Sequence, residues 1–225
     1  MIMQDRRPKA GDPFLLGKIN RSVYFCFMLS KAERTKQLII EKAAPLFNKH
    51  GYAGTSMNHI MAATGLTKGG LYGNFENKDE IAALAFEYSY GKVRAELITV
   101  IKEQETSLEK LYAILKFYRN YTLRPHIEGG CPLQNTAIDA DDAYPFLKKR
   151  AKEALEDMLG GLEHIIRNGI KYKEFKSTAQ PRQEAEIIYA QIEGGIMMAK
   201  LSDDVNMLNR VLDSLRNYIN NQLVK

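Results

Sequence analysis

The sequence predicts an all-α protein, and three observations carry that expectation. Helix formers dominate the 225 residues, among which only seven are proline. Apolar residues recur at steps of three and four, the period of one helical face. Residues able to cap helices stand where those periodic runs begin. The length allows one large or two modest domains with a proper core. A hydrophobic share of 45% and a charged share of 26% are those of a globular chain. No apolar run approaches the roughly 18–20 residues needed to span a bilayer, so no membrane partner is expected. Cys26 and Cys131 make neither a disulfide framework nor a metal-finger spacing, which points to the cytoplasm. No cofactor or metal is called for. The chain carries no phosphate loop, HExxH, GxSxG or dinucleotide fingerprint, and an enzyme is not expected.

Residues 1–30 read as a segment of their own, flexible or not native to the protein. Gly11, Pro13 and Gly17 break any helical period, and charged residues interrupt the apolar stretches a signal peptide needs. Met28 closely precedes Ser30, which suits an N-cap with Glu33 completing a capping box. Met28 is therefore the expected biological start; a basic arm touching DNA is the alternative.

From Lys31, the stripe Leu38, Ile39, Ala43, Leu46 and Phe47 predicts a first helix with Gly51 at its C-cap and Pro45 as an interior irregularity. Thr55 or Ser56 caps a short second helix holding Ile60, Met61 and Ala62. Thr64-Gly65-Leu66 is a tight turn, and Thr67 caps a third helix running to about Phe75. Two short helices about a glycine turn make a helix-turn-helix, whose second member enters the major groove.

The third helix looks poorly built for its role. Within TGLTKGGLYGNFENKDEI (residues 64–81) stand Gly69, Gly70 and Gly73, and each glycine costs roughly 1 kcal/mol against alanine in a helix. A groove-entering helix explains the first two, since missing side chains let the backbone approach base edges and the sugar-phosphate wall. Lys68 can reach a guanine edge or a phosphate, and Tyr72 can offer a hydroxyl to a phosphate. Leu66, Leu71 and Phe75 would hold the helix to its scaffold. Asn77 caps the next helix with Glu80 in support, and Lys78 in its first turn opposes the helix dipole, so something negative is expected nearby. The net charge of +5 agrees with this placement. Its whole excess lies in residues 1–80, with the remainder balanced, as expected if the first third of the chain meets a polyanion.

Residues 31–80 closely resemble the DNA-binding domain of the TetR family of bacterial transcriptional regulators. The resemblance lies in a Phe-x-x-x-Gly-Tyr-x-x-Thr-Ser run, an Ala-x-x-x-Gly-Leu turn, Lys-Gly-Gly-Leu-Tyr and Phe-x-Asn-Lys. It implies an all-helical homodimer that binds a palindromic operator in double-stranded DNA and is released by a small-molecule effector held in residues 81–225. By matching position it places Thr55, Ser56 and Asn58 at the backbone or a base edge. It sets Thr67 at the helix start, Lys68, Gly69 and Gly70 against bases, and Tyr72 and Lys78 on phosphates. Asn74 and Gly73 depart from the family pattern; Asn74 is left with a base edge, a phosphate or solvent.

Beyond Ile81, a fourth helix to about Glu103 is expected, then helices near Ser107–Leu123, Tyr144–Gly169, Pro181–Leu201 and Asp203–Leu223. Pro145 and Pro181 suit first turns. Val205, Leu208, Leu212, Leu215 and Ile219 form a narrow seam on the last helix. With Ile188, Ile192 and Gly195 they are the expected dimer contacts, because the family pairs through these helices; the alternative is intramolecular core. The segment GGCPLQNTAIDADDAYPF (residues 129–146) resembles one found in part of the family. Tyr118, Tyr121, Cys131, Asn135 and Met158 are the candidate effector-pocket residues, mostly apolar with a few polar anchors.

Overall fold

The computed structural model describes residues 30–225. The expected start at Met28 and the segment before it lie outside the described residues. Within them the chain is all-helical: α1 (Lys31–Gly54), α2 (Met57–Thr64), α3 (Lys68–Tyr72), α4 (Lys78–Lys102), α5 (Ser107–Tyr118), α6 (Pro132–Ala140), α7 (Pro145–Lys171), α8 (Pro181–Leu201) and α9 (Val205–Tyr218), closed by a π-helical turn at Ile219–Leu223.

Local chemistry explains where most of these begin. Ser30 and Glu33 exchange hydrogen bonds in a capping box, as do Thr106 and Glu109 at α5. Proline opens α6, α7 and α8, where its missing N–H costs nothing. At Gly51 the backbone turns to φ +70° and breaks α1, so Tyr52–Gly54 form a separate short turn. The helix expected to reach Leu123 stops at Tyr118, and Asn120 adopts φ +62° in the turn that follows. α6 is an element that the sequence reading missed. Pro132 was its signal, read at Pro145 and Pro181 but not here.

Two apolar cores form. The smaller gathers Ile39, Ala43, Ile60, Leu71, Phe75, Ile81 and Ala85 from α1 to α4, so the first turns of α4 belong to it. The larger fills the space among α4 to α9. A third cluster of Ala82, Ala140 and Leu147, with Phe47, Tyr52, Tyr144 and Phe146 against it, joins the two.

The seam on α8 and α9 corrects an expectation. Ile188, Ile192, Gly195, Leu208, Leu212, Leu215 and Ile219 are all buried inside the single chain. They pack α8 on α9: a Cβ on Gly195 would stand 3.0 Å from Leu208 Cδ1, so that glycine serves the intramolecular approach. A three-four repeat marks a buried stripe without saying which helix buries it. The outward stripe on α8 runs instead through Ala190, Gly194, Met197, Met198 and Leu201. A Cβ on Gly194 would meet nothing within 4 Å.

Candidate nucleic-acid interface

The turn between α2 and α3 is built from short-range contacts. Ser56 caps α2 by accepting from the His59 N–H at 3.2 Å, and His59 Nδ1 accepts from the Ser56 N–H at 3.3 Å. Gly65 ends α2 in the left-handed conformation, φ +71°, that glycine adopts without strain. Thr67 caps α3, its hydroxyl accepting from the Gly70 N–H at 3.2 Å. α3 has five residues and ends before Phe75, shorter than the sequence suggested. Leu71 and Phe75 are buried and pin it to the small core, which supplies the stability that its composition lacks.

The three glycines are not equivalent. A Cβ on Gly69 would point into open space, with nothing within 4 Å. The same atom on Gly70 would lie 3.6 Å from Leu66 Cβ and 3.5 Å from Thr67 Oγ1, in ordinary contact with its own turn. On Gly73 it would stand 3.0 Å from the Gly69 carbonyl oxygen, tight against the end of α3. Gly69 thus leaves the outer surface bare, whereas Gly73 lets the chain fold back.

Lys68, Gly69 and Tyr72 are exposed together on α3, with Asn58 exposed on α2. The Lys68 ammonium lies 5.9 Å from the Tyr72 ring centre, which remains 45% exposed. Other expected contact residues are occupied within the chain. Thr55 is fully buried and its hydroxyl donates to the Gly51 carbonyl at 2.9 Å, so its side chain is not at the surface as the family pattern implied. A threonine hydroxyl next to a broken helix end satisfies a carbonyl first. Asn74 donates from Nδ2 to the Gly70 carbonyl at 2.8 Å, closing the C-terminus of α3.

Lys78 has the negative neighbours its position demanded. Its ammonium donates to the carbonyls of Tyr52 (2.8 Å) and Thr55 (3.0 Å) and lies 3.8 Å from the Tyr52 ring centre. It ties the start of α4 to the broken end of α1. The Tyr52 hydroxyl bonds Asp79, and burial together with that bond pushes the phenol up to about 12. Lys78→Ala should therefore lower the unfolding free energy by about 1–3 kcal/mol, since charge-assisted bonds to two carbonyls are lost. Urea denaturation measures this, and an unmoved midpoint would show that the clamp contributes nothing.

Behind the interface, α1 is fastened to α6 and the preceding loop. Asp139 Oδ2 accepts from the Tyr52 N–H at 2.7 Å. Asn48 Nδ2 donates to the Glu128 and Gly130 carbonyls at 2.8 and 3.0 Å. Asn135 Nδ2 lies within 3.1 Å of the Asn48 carbonyl, Asn48 Oδ1 and the Gly129 carbonyl. Asn135, expected in a ligand pocket, borders a cavity of about 310 Å³ beside α1 with Asn48 and Asp139, and its amide serves this joint. No sequence signal gave Asn48, Tyr52 or Asp139 this joining role, because their partners lie some eighty residues away.

A cavity of about 630 Å³ opens between α6, α7 and α8. Leu133, Ala137, Ala151, Leu155 and Leu159 line it, with Tyr189 and Glu193 on α8. Tyr118, Tyr121, Cys131 and Met158 do not line it; they are buried in the adjoining core, where Met158 borders a separate cavity of about 220 Å³ between α4 and α7. Burial pushes the Cys131 thiol well up, as it does the phenols of Tyr118 and Tyr189, so the thiol is held in its unreactive form.

Comparison with known proteins decides the family. Residues 39–85 match the model of bacterial regulatory proteins of the tetR family, and residues 107–215 match the tetracyclin repressor-like C-terminal domain. The chain belongs to the TetR family. The structure of a TetR-family transcriptional regulator from Cytophaga hutchinsonii is 38% identical with a TM-score of 0.82, covering 88% of this chain and 98% of that one. A TetR regulator from Chloroflexus aurantiacus is 34% identical with a TM-score of 0.84, over 87% of this chain and 99% of its own. An HTH-type transcriptional regulator in the lacX 3' region of Lactococcus lactis shares 28% identity over 184 residues, covering 81% of this chain and 91% of that protein.

This TetR regulator therefore has an all-α fold and a DNA-binding function of the TetR type. Its helix-turn-helix is α2 and α3, supported by α1 and the first turns of α4. Among the described residues no group of three or more His, Cys, Asp or Glu could hold a metal ion. No described helix is long and apolar enough to cross a membrane.

Proposed function

We propose that this regulator is a repressor that binds an inverted-repeat operator as a homodimer and is released by a small molecule. We read residues 31–80 as its DNA-binding unit and residues 81–225 as the unit that binds effector and pairs with the second copy. One observation carries the reading: α6 belongs to the cavity and to the DNA-binding unit at once. Leu133 and Ala137 line the cavity, while Asn135 and Asp139 of the same nine-residue helix hold α1. A molecule entering the cavity presses on the element that positions Tyr52, and Tyr52 lies five residues before α2 begins.

Reading two half-sites requires recognition helices about 34–36 Å apart, or a suitable multiple. An effector that binds better to a dimer of different spacing shifts the population away from the operator-bound form, limited by its difference in affinity for the two. In this reading Lys68 and the bare surface at Gly69 face bases. Ser56, Asn58, Thr67 and Tyr72 meet backbone or base edges, and Lys78 has one remaining N–H for a phosphate. The apolar stripe of Met197, Met198 and Leu201 on α8, open at Gly194, supports pairing with a second copy. A constitutive DNA-binding module is the competing reading, and an apolar cavity of about 630 Å³ speaks against the filled core it would have.

Selection of bound fragments from a random duplex pool tests the proposal. The expected product is an inverted repeat whose half-site centres lie one helical turn or a multiple apart. Recovery of a single unrepeated site, or of no preferred sequence, overturns the dimeric operator.

A further inference from the structure

We propose that the cavity between α6, α7 and α8 recognises an organic cation, with an apolar body along the groove and a protonated nitrogen at the Glu193 carboxylate. The proposal rests on reading this cavity as the effector site and names the chemical class that it takes. The walls from α6 and α7 are mainly aliphatic, including Leu133, Leu155 and Leu159. Glu193 on α8 breaks that pattern from within. Its Oε1 accepts from Cys131 Sγ at 3.1 Å, while its Oε2 is shielded from solvent and has no hydrogen-bond partner.

The missing partner is a positive charge. Among the described residues no Lys, Arg or His makes an ion pair with Glu193. Lys148, which also lines the cavity, is engaged by Asp141 at 3.0 Å, and Lys152 is exposed. The other neighbours bring no positive charge: Cys131 and the Tyr189 side chain hydrogen-bond the carboxyl, and Tyr118 and Tyr121 add aromatic rings. Tyr121 also carries a buried hydroxyl without a partner. A carboxylate removed from water without a counter-charge is costly, and burial accordingly raises the Glu193 carboxyl above its ordinary range. A neutral alcohol would give Oε2 a donor and leave the charge uncompensated. An anion would place like charges together. A cation supplies both the donor and the charge, and the surrounding rings favour it.

Isothermal titration of the full chain near pH 7 with octylammonium, 1-octanol and octanoate separates these classes, since the three share one apolar body. Octylammonium should bind about tenfold or more tighter than 1-octanol, with octanoate weakest. Glu193→Gln should erase that preference while leaving the affinity for 1-octanol within about twofold, because the amide keeps the shape and removes the charge. Leu155→Trp, filling the groove while sparing the carboxylate, should weaken all three. Equal binding of ammonium and alcohol by the wild type, or a preference that survives in Glu193→Gln, overturns the cation class. If the alcohol then still binds and releases operator, the effector-site reading stands alone. If none of the three binds, both readings fall.

Discussion

Gly69→Val should reduce specific operator binding by about a thousandfold, to the level of non-specific association, with the fold intact. The expectation follows from where the missing side chain points. A Cβ at Gly69 meets nothing within 4 Å, so the isolated protein has ample room for a larger residue. Valine is also no worse a helix former than glycine, and unfolding free energy should stay within about 0.5 kcal/mol of the parent. Only a partner pressed against the exposed face of α3 would feel the added methyl groups. A mobility-shift titration against the selected operator, beside a urea melt, measures both quantities; wild-type operator affinity in a folded variant would refute close approach at this residue. Gly70 is the weaker probe, because its Cβ would already contact Leu66 and Thr67 and a branched side chain there would disturb the turn itself.

The second large effect lies far from DNA. Gly129→Ala should destabilise the protein by about 3–5 kcal/mol. Gly129 adopts φ +102°, where an L side chain is strained at a cost of about 1–3 kcal/mol. The new Cβ would also stand 2.7 Å from the Asn48 carbonyl oxygen and 2.9 Å from its carbon. These are backbone atoms of α1 and cannot rotate away, so overpacking adds about 1–3 kcal/mol. The Gly129 carbonyl further accepts from Asn135 and Lys200, so displacing the loop loosens the whole joint between α1 and α6. The variant should therefore unfold at lower urea and show a weaker effect of ligand on operator affinity. A parent-like midpoint would show that the joint yields freely and does not couple the two sites.

The contrast between these glycines shows what kinds of information a linear reading holds. Gly51 as a helix end, Gly65 in its turn, Ser30 and Thr67 as caps, and the helix-turn-helix itself follow from contacts within about four residues. Those interactions are written in adjacent letters, and the periods of α1, α8 and α9 are equally local. Asn74 and Thr55 show the limit even at short range. The family pattern placed Thr55 toward DNA and left Asn74 a base edge, a phosphate or solvent, yet each bonds the carbonyl four residues before it, because an unsatisfied helix end is the nearest acceptor. The seam of Leu208, Leu212 and Leu215 was legible as buried, but its partner was not. Periodicity reports a face, and only packing reports what covers it.

The chain of residues alone determined the class of fold, the family and the position of the recognition helix, since caps, turns and apolar periods act between near neighbours. Packing decided the rest. α6 meets the cavity and α1 together because Asp139 and Asn135 reach residues 87 positions earlier. Glu193 lacks a cation because folding brings it to Cys131, 62 positions away, while Lys148 of the same cavity is held by Asp141. Burial, counter-charge and closeness of backbone depend on distant segments arriving at one place, and no local pattern encodes that arrival.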